Sequence, residues 1–141
     1  MSVSLVIVSH STKLAEGVAE LAGQMAQGKC AIVAAGGTLD GTLGTSMEKI
    51  LAALRAVDGS DGILVLLDLG SAVMATEMAV ETFLLDHVSG RDPHVLISSA
   101  PLVEGAVIAA VEASIGNSLQ EVAEAAAMAH TIPKLHSTSD I

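Results

Sequence analysis

The chain has 141 residues, 51% of them hydrophobic, with one Phe and neither Trp nor Tyr, which gives one domain an aliphatic core and removes base-stacking platforms. Sixteen acidic residues against six basic ones leave a formal charge of −10, which argues against nucleic acid and anionic membrane surfaces as partners. One cysteine excludes an intrachain disulfide, a metal ribbon and a dithiol redox pair.

Met1 leads directly into an apolar run with no basic region before it, and no uncharged apolar stretch reaches membrane-spanning length, so a cytoplasmic protein is expected. Residues 3–8 lack alternation, as in a strand buried on both faces. Leu14, Val18, Leu21, Ala22 and Met25 then recur at helical period and predict the inner face of a helix. Residues 30–35 predict a second strand opening on Cys30, read as a small buried side chain. A glycine-rich stretch follows. It leads to a helix with Met47, Ile50, Leu51, Leu54 and Val57 on one face, where Thr45 precedes Glu48 by three residues as in a capping box. Residues 63–67 and 95–97 predict two further buried strands with a helix between them. Pro101 and Gly116 bracket another helix, and Ser118 with Glu121 forms a second capping box at the start of the last one.

The order β-α-β-α-β-α-β-α-α with right-handed crossovers predicts an α/β three-layer sandwich with a mostly parallel central sheet. Residues 1–129 form the domain, and the tail 130–141 loses periodicity and is expected to be poorly ordered.

Ligands in such sheets bind beyond the carboxyl ends of the strands. These ends read Ser9-His10-Ser11, then Ala35-Gly36-Gly37-Thr38 continuing to Gly44-Thr45-Ser46, then Asp68-Leu69-Gly70-Ser71-Ala72, and finally Ser98-Ser99-Ala100-Pro101. If the first and third strands are neighbours, His10 and Asp68 meet. An Asp that accepts the Nδ1 proton leaves Nε2 with a free lone pair and stabilises the charge the ring gains when Nε2 attacks. His10 is then the candidate phosphoryl-accepting nucleophile and Asp68 its orienting acid. No Lys or Arg lies in these loops, so a phosphoryl group would be cradled by amides and hydroxyls of Ser9, Ser11, Gly36, Gly37, Thr38, Gly44, Thr45, Ser46, Gly70 and Ser71. Each of these residues alone also fits an ordinary role, as a structural histidine, a cap or a loop glycine; the chemistry is suggested by their sharing one rim.

No cofactor or metal is expected. The glycine-rich stretch has no Gly-Lys-Ser/Thr, no carboxylate cluster closes the first strand, and no Arg adjoins His10. His87, His94, His130 and His136 lie outside the rim, fit no metal spacing and receive no role.

The rim stretches, with Leu5-Val6-Ile7-Val8 before His10 and Pro101-Leu102-Val103-Glu104-Gly105-Ala106, resemble the phosphotransferase subunits of phosphoenolpyruvate-dependent dihydroxyacetone kinases, relatives of the mannose-family enzyme IIA domains. The resemblance covers roughly residues 1–129. It implies a homodimer in which His10 accepts phosphate from the phosphocarrier protein HPr, itself charged by enzyme I. The phosphate would pass to ADP on the kinase's nucleotide-binding subunit, while a substrate-binding subunit holds dihydroxyacetone. Asp68 matches the acid that orients the histidine. Some relatives fuse HPr-like and enzyme I-like domains after this one, and the end at Ile141 leads to the expectation of separate donors. Two other readings are the enzyme IIA domain of a mannose-type sugar transporter and a non-enzymatic regulatory module that binds a small anion.

Overall fold

Aliphatic strands with no polar face must be covered on both sides, and β1 (Ser4–Ser9) and β3 (Ile63–Leu67) meet that requirement from the centre of the sheet. The computed structural model describes residues 2–87 and 93–135. Its sheet runs in the order β2-β1-β3-β4, with β2 spanning Ile32–Gly36 and β4 spanning Val95–Ser98, and every pairing is parallel. Successive side chains along β1 point to opposite faces. Val3, Leu5 and Ile7 enter one core with α1 (Thr12–Ala26), α4 (Leu102–Ser114) and α5 (Leu119–Ala127). Val6 and Val8 enter the other with α2 (Met47–Ala56) and α3 (Val73–Leu85). The expected α/β sandwich is therefore present, with β1 beside β3. Among the described residues no helix is long and apolar enough to cross a membrane.

Four local expectations change. The second strand begins two residues later than predicted, and Cys30 lies buried just before it, its thiol pushed up to about 11 by that burial. On α1 the buried residues are Ala15, Val18, Ala22 and Ala26, whereas Leu14, Leu21 and Met25 stand exposed. The apolar stripe is broad, and close packing against the alanine-rich α4 selects its small members. The cap of α2 is Ser46 rather than Thr45: its Oγ accepts from the Lys49 amide at 3.1 Å. Finally, Leu96 and Ile97 of β4 are exposed, because this strand forms an edge of the sheet. The Ser118–Glu121 capping box is present at α5.

At the start of the tail, Met128–Thr131 makes a short 3-10 turn, and Lys134 pairs with Glu104 at 3.1 Å. The rest of the segment expected to be poorly ordered, 136–141, lies outside the described residues.

The start of α1 passes tightly over the end of β2. A Cβ on Gly36 would meet the Ser11 carbonyl oxygen at 2.5 Å and the Ala15 Cβ at 2.7 Å, both on rigid elements. Gly36→Ala is expected to destabilise the fold by about 1–3 kcal/mol through overpacking, seen as a lower urea midpoint at unchanged slope. An unaltered midpoint would show that the helix start yields freely.

At the opposite end of the sheet, both ring nitrogens of His87 face acceptors: Nδ1 lies 2.7 Å from the Phe83 carbonyl and Nε2 lies 3.0 Å from Asp58 Oδ1. The hydrogen bond to Asp58, then that to Phe83, raises the His87 pKa above its ordinary value. Protonated His87 thus ties the end of α2 to that of α3. This contribution is complete below the unfolded value near ~6.5 and disappears as pH rises through the raised folded value. The melting temperature is expected to fall over that window relative to Asp58→Asn, and parallel pH profiles would exclude the clamp.

Candidate active site

Parallel register brings two turns together. β1 ends at Ser9, His10 follows, and Ser11 caps α1 by accepting from the Leu14 amide at 3.1 Å. β3 pairs with β1 as far as Val8 opposite Leu67, and the Asp68 amide continues the ladder to the Val8 carbonyl at 3.1 Å. Asp68 is thereby fixed beside the Ser9–His10 turn.

Donors converge on the Asp68 carboxylate. Oδ2 accepts from the His10 amide at 2.9 Å and from Ser9 Oγ at 3.0 Å; Oδ1 accepts from the Leu69 amide at 2.7 Å and stands 3.0 Å from His10 Nδ1. Burial by itself raises this pKa, but the bonds from the His10 backbone and ring, Ser9 and Leu69 together outweigh it and hold the carboxyl below its ordinary value. An ionised carboxylate can only accept, so Nδ1 carries the proton and Nε2 carries the lone pair. Ser71 Oγ lies 2.9 Å from Nε2 and donates to it. The imidazole side chain is 27% exposed and the Asp68 side chain 10%, so the anchor is the more buried of the pair.

The other rim residues divide by what already engages them. Ser71 sits in the 3-10 turn Gly70–Ala72 that leads into α3, and the first amides of such a turn, Gly70 and Ser71, have no partner within it. The Gly37 amide donates to the Ser9 carbonyl at 3.0 Å, that of Thr38 to Thr42 at 2.9 Å and that of Gly44 to His10 at 2.8 Å. These amides hold the glycine-rich loop in place rather than aim at Nε2. The Thr38 hydroxyl is tied to Asp40 and Thr42, Thr45 precedes the cap of α2, and the hydroxyls of Ser46 and Ser11 serve as caps. Ser9 is 0% exposed, so its hydroxyl faces Asp68 and not a ligand at the surface.

Sequence reasoning missed Lys49. The loops contain no cation, but Lys49 in the first turn of α2 folds back so that Nζ reaches the Gly36 carbonyl at 2.5 Å, which Thr12 Oγ1 also donates to at 3.0 Å. Projecting the first helical turn back over the strand end would have found it.

Each segment of the rim also exposes a large apolar side chain: Leu14 after His10, Leu39 and Leu43 in the loop bonded to the His10 carbonyl, Leu69 beside Asp68, and Met74 one turn beyond Ser71. A cleft of about 370 Å³ runs between the ends of β3 and β4 and the start of α3, with Asp68, Gly70, Glu77 and Ser99 in its walls. His10 is not part of those walls, and its ring is partly exposed beside them. Among the described residues, no group of three His, Cys, Asp or Glu is placed to hold a metal ion. The His94 carbonyl accepts from the Ile63 amide, His130 Nδ1 bonds to the Ala127 carbonyl, and His136 lies outside the described residues.

Residues 4–123 match the family model described as PTS system fructose IIA component. The chain is 41% identical over 123 residues to the phosphoryl donor subunit DhaM of a PEP-dependent dihydroxyacetone kinase of Escherichia coli (strain K12), which covers 85% of this chain and 25% of that protein. It therefore spans about a quarter of that relative's length. A Listeria innocua protein, PEP-dependent dihydroxyacetone kinase 2 phosphoryl donor subunit DhaM, is 37% identical over 123 residues, covering 85% of this chain and 93% of that one. The crystal structure of a protein of unknown function superposes with a TM-score of 0.78 at 31% identity, covering 98% of this chain and 100% of the other.

Proposed function

Because the chain belongs to the family of PTS system fructose IIA components, we propose that it is a phosphohistidine carrier that takes a phosphoryl group from HPr onto His10 and passes it to ADP on the nucleotide-binding subunit of a dihydroxyacetone kinase. One observation carries this reading: an anionic Asp68 meets His10 Nδ1 and leaves the Nε2 lone pair, met by the Ser71 hydroxyl, on a partly exposed ring. In the first step the Nε2 lone pair attacks the phosphorus, the P–N bond to the donor histidine breaks, and its electron pair returns to the donor ring. Asp68 matches the positive charge gained by His10. In the second step an ADP β-phosphate oxygen attacks, the P–Nε2 bond breaks, and its electrons return to His10.

Gly70 and Ser71 lead the cradle, since the Ser71 hydroxyl reaches Nε2 and the amides of both open the 3-10 turn without a partner inside it. The kinase acceptor is supported by similarity to bacterial phosphoryl donor subunits of dihydroxyacetone kinases, and the exposed leucines and Met74 suit transient protein docking. A cytoplasmic homodimer whose residues 1–129 form the carrier domain, with dihydroxyacetone held on a substrate-binding subunit, completes the proposal.

The test incubates the chain with phosphoenolpyruvate, enzyme I and HPr, then chases it with ADP, dihydroxyacetone and the two kinase subunits. An acid-labile phosphate that appears and then yields dihydroxyacetone phosphate is the expected result. Discharge only to a sugar-transporter IIB domain would overturn the kinase assignment, and no phosphate uptake would leave a non-enzymatic anion-binding module.

A further inference from the structure

A serine hydroxyl with no exposure, directly after the aliphatic residues 5–8 of its strand, needs a partner that accounts for its burial. Ser9 closes β1, and its Oγ accepts the Ser11 amide at 3.0 Å, which directs its single proton to Asp68 Oδ2 at 3.0 Å. We propose that Ser9 is a positioning residue for His10: by anchoring Asp68 Oδ2 it holds the carboxylate against the imidazole and so fixes the ring tautomer that leaves the lone pair on Nε2.

The geometry gives this anchor a task beside the His10 and Leu69 amides that also hold the carboxylate. Nδ1 stands 3.0 Å from Oδ1 and 3.3 Å from Oδ2, so the proton stays on Nδ1 only while the carboxylate as a whole is held against the ring, and a swing away would lengthen both contacts. The His10 amide holds Oδ2 from one direction and the Ser9 hydroxyl from a second. Apart from the imidazole itself, Ser9 is the only side chain among the described residues that donates to this carboxylate. Through the Ser11 amide the same hydroxyl links Asp68 to the start of α1, so strand end, helix start and nucleophile are set by one buried oxygen.

The catalytic consequence rests on the phosphohistidine reading, whereas the tautomer can be measured without it. Nitrogen-15 NMR of the unphosphorylated chain, at a pH where the ring is neutral, is expected to show one species protonated at Nδ1. Ser9→Ala is expected to admix the Nε2-protonated form and to lower the phosphoryl-acceptance rate per folded molecule by about tenfold, the scale of one hydrogen bond to a charged group. Ser9→Thr, which keeps the hydroxyl, restores both. Should Ser9→Ala fail to fold, Ser9→Cys retains the shape with a weak donor and carries the same measurement. Nitrogen shifts in the folded variant that match the parent, or a rate loss that tracks only the folded fraction, would overturn the proposal. A shifted tautomer with no phosphoryl uptake by the parent would instead uphold the positioning and refute the carrier function.

Discussion

Replacing His10 by Ala is expected to abolish phosphoryl acceptance completely while leaving stability within about 1 kcal/mol of the parent, because the truncation empties no buried space. The ring is more than a quarter exposed on a turn, and the His10 amide would go on donating to Asp68. What disappears is the nucleophile. Intact-mass measurement after incubation with the donor proteins checks this, paired with a thermal melt. Labelling of the variant equal to that of the parent would move the site to another histidine. His87 is a poor substitute, since both of its nitrogens are engaged.

Asp68→Asn is expected to slow transfer by about a hundredfold, less than the roughly 10⁴-fold loss when an orienting acid is removed from a hydrolytic triad, because a phosphohistidine donor is already activated. Asn offers one acceptor oxygen where donors approach both oxygens of Asp68, so its amide must face either the Ser9 and His10 donors or the ring and the Leu69 amide. It can then present N–H to Nδ1 and select the wrong tautomer, and it removes the negative charge that stabilises the imidazolium. In the parent the carboxylate persists below the ordinary Asp range because its folded pKa is lowered, and the order it gives the site is lost only as pH falls through that lowered value. Carbon-13 NMR of the parent should follow this titration at the Asp68 carboxyl, while rapid-quench kinetics compare the parent and Asp68→Asn at neutral pH. Unchanged kinetics in the variant would reduce Asp68 to a turn cap.

The sheet and the His10–Asp68 pairing were legible because they depend on strong signals: unbroken aliphatic runs and the parallel alignment of the strand ends around them. The Ser118–Glu121 box was legible for a similar reason, as its chemistry is local. Thr45 and Ser46 were not separable by spacing. Ser46 takes the capping bond from Lys49, and its hydroxyl also donates to Glu48, the residue that Thr45 matched in the capping-box pattern. The inner side of α1 depends on how near α4 can come, and the exposure of β4 on its place at the edge, neither of which a single segment encodes. The same holds for the cradle. Whether Gly37, Thr38 or Gly44 presents a free amide is decided by which carbonyls the folded loop meets, and the composition of that loop says nothing about them.

The small residues between α1 and α4 have a further consequence for how the molecule tolerates change. Ala15, Ala22 and Ala26 on one helix and Ala106, Ala109, Ala110 and Ala113 on the other are all essentially inaccessible, whereas the opposite layer is filled by Phe83, Ile50 and Leu54. On that opposite layer the damaging substitutions are truncations, which leave voids and cost about 2–5 kcal/mol. Between α1 and α4 there is little to truncate, and each added methylene must prise two helices apart at about 1–3 kcal/mol. The two faces of one sheet therefore constrain mutational drift in opposite senses, one against shrinkage and the other against growth. Because His10 sits at the head of α1, drift toward larger residues in that seam would tilt the nucleophile before it unfolded the domain.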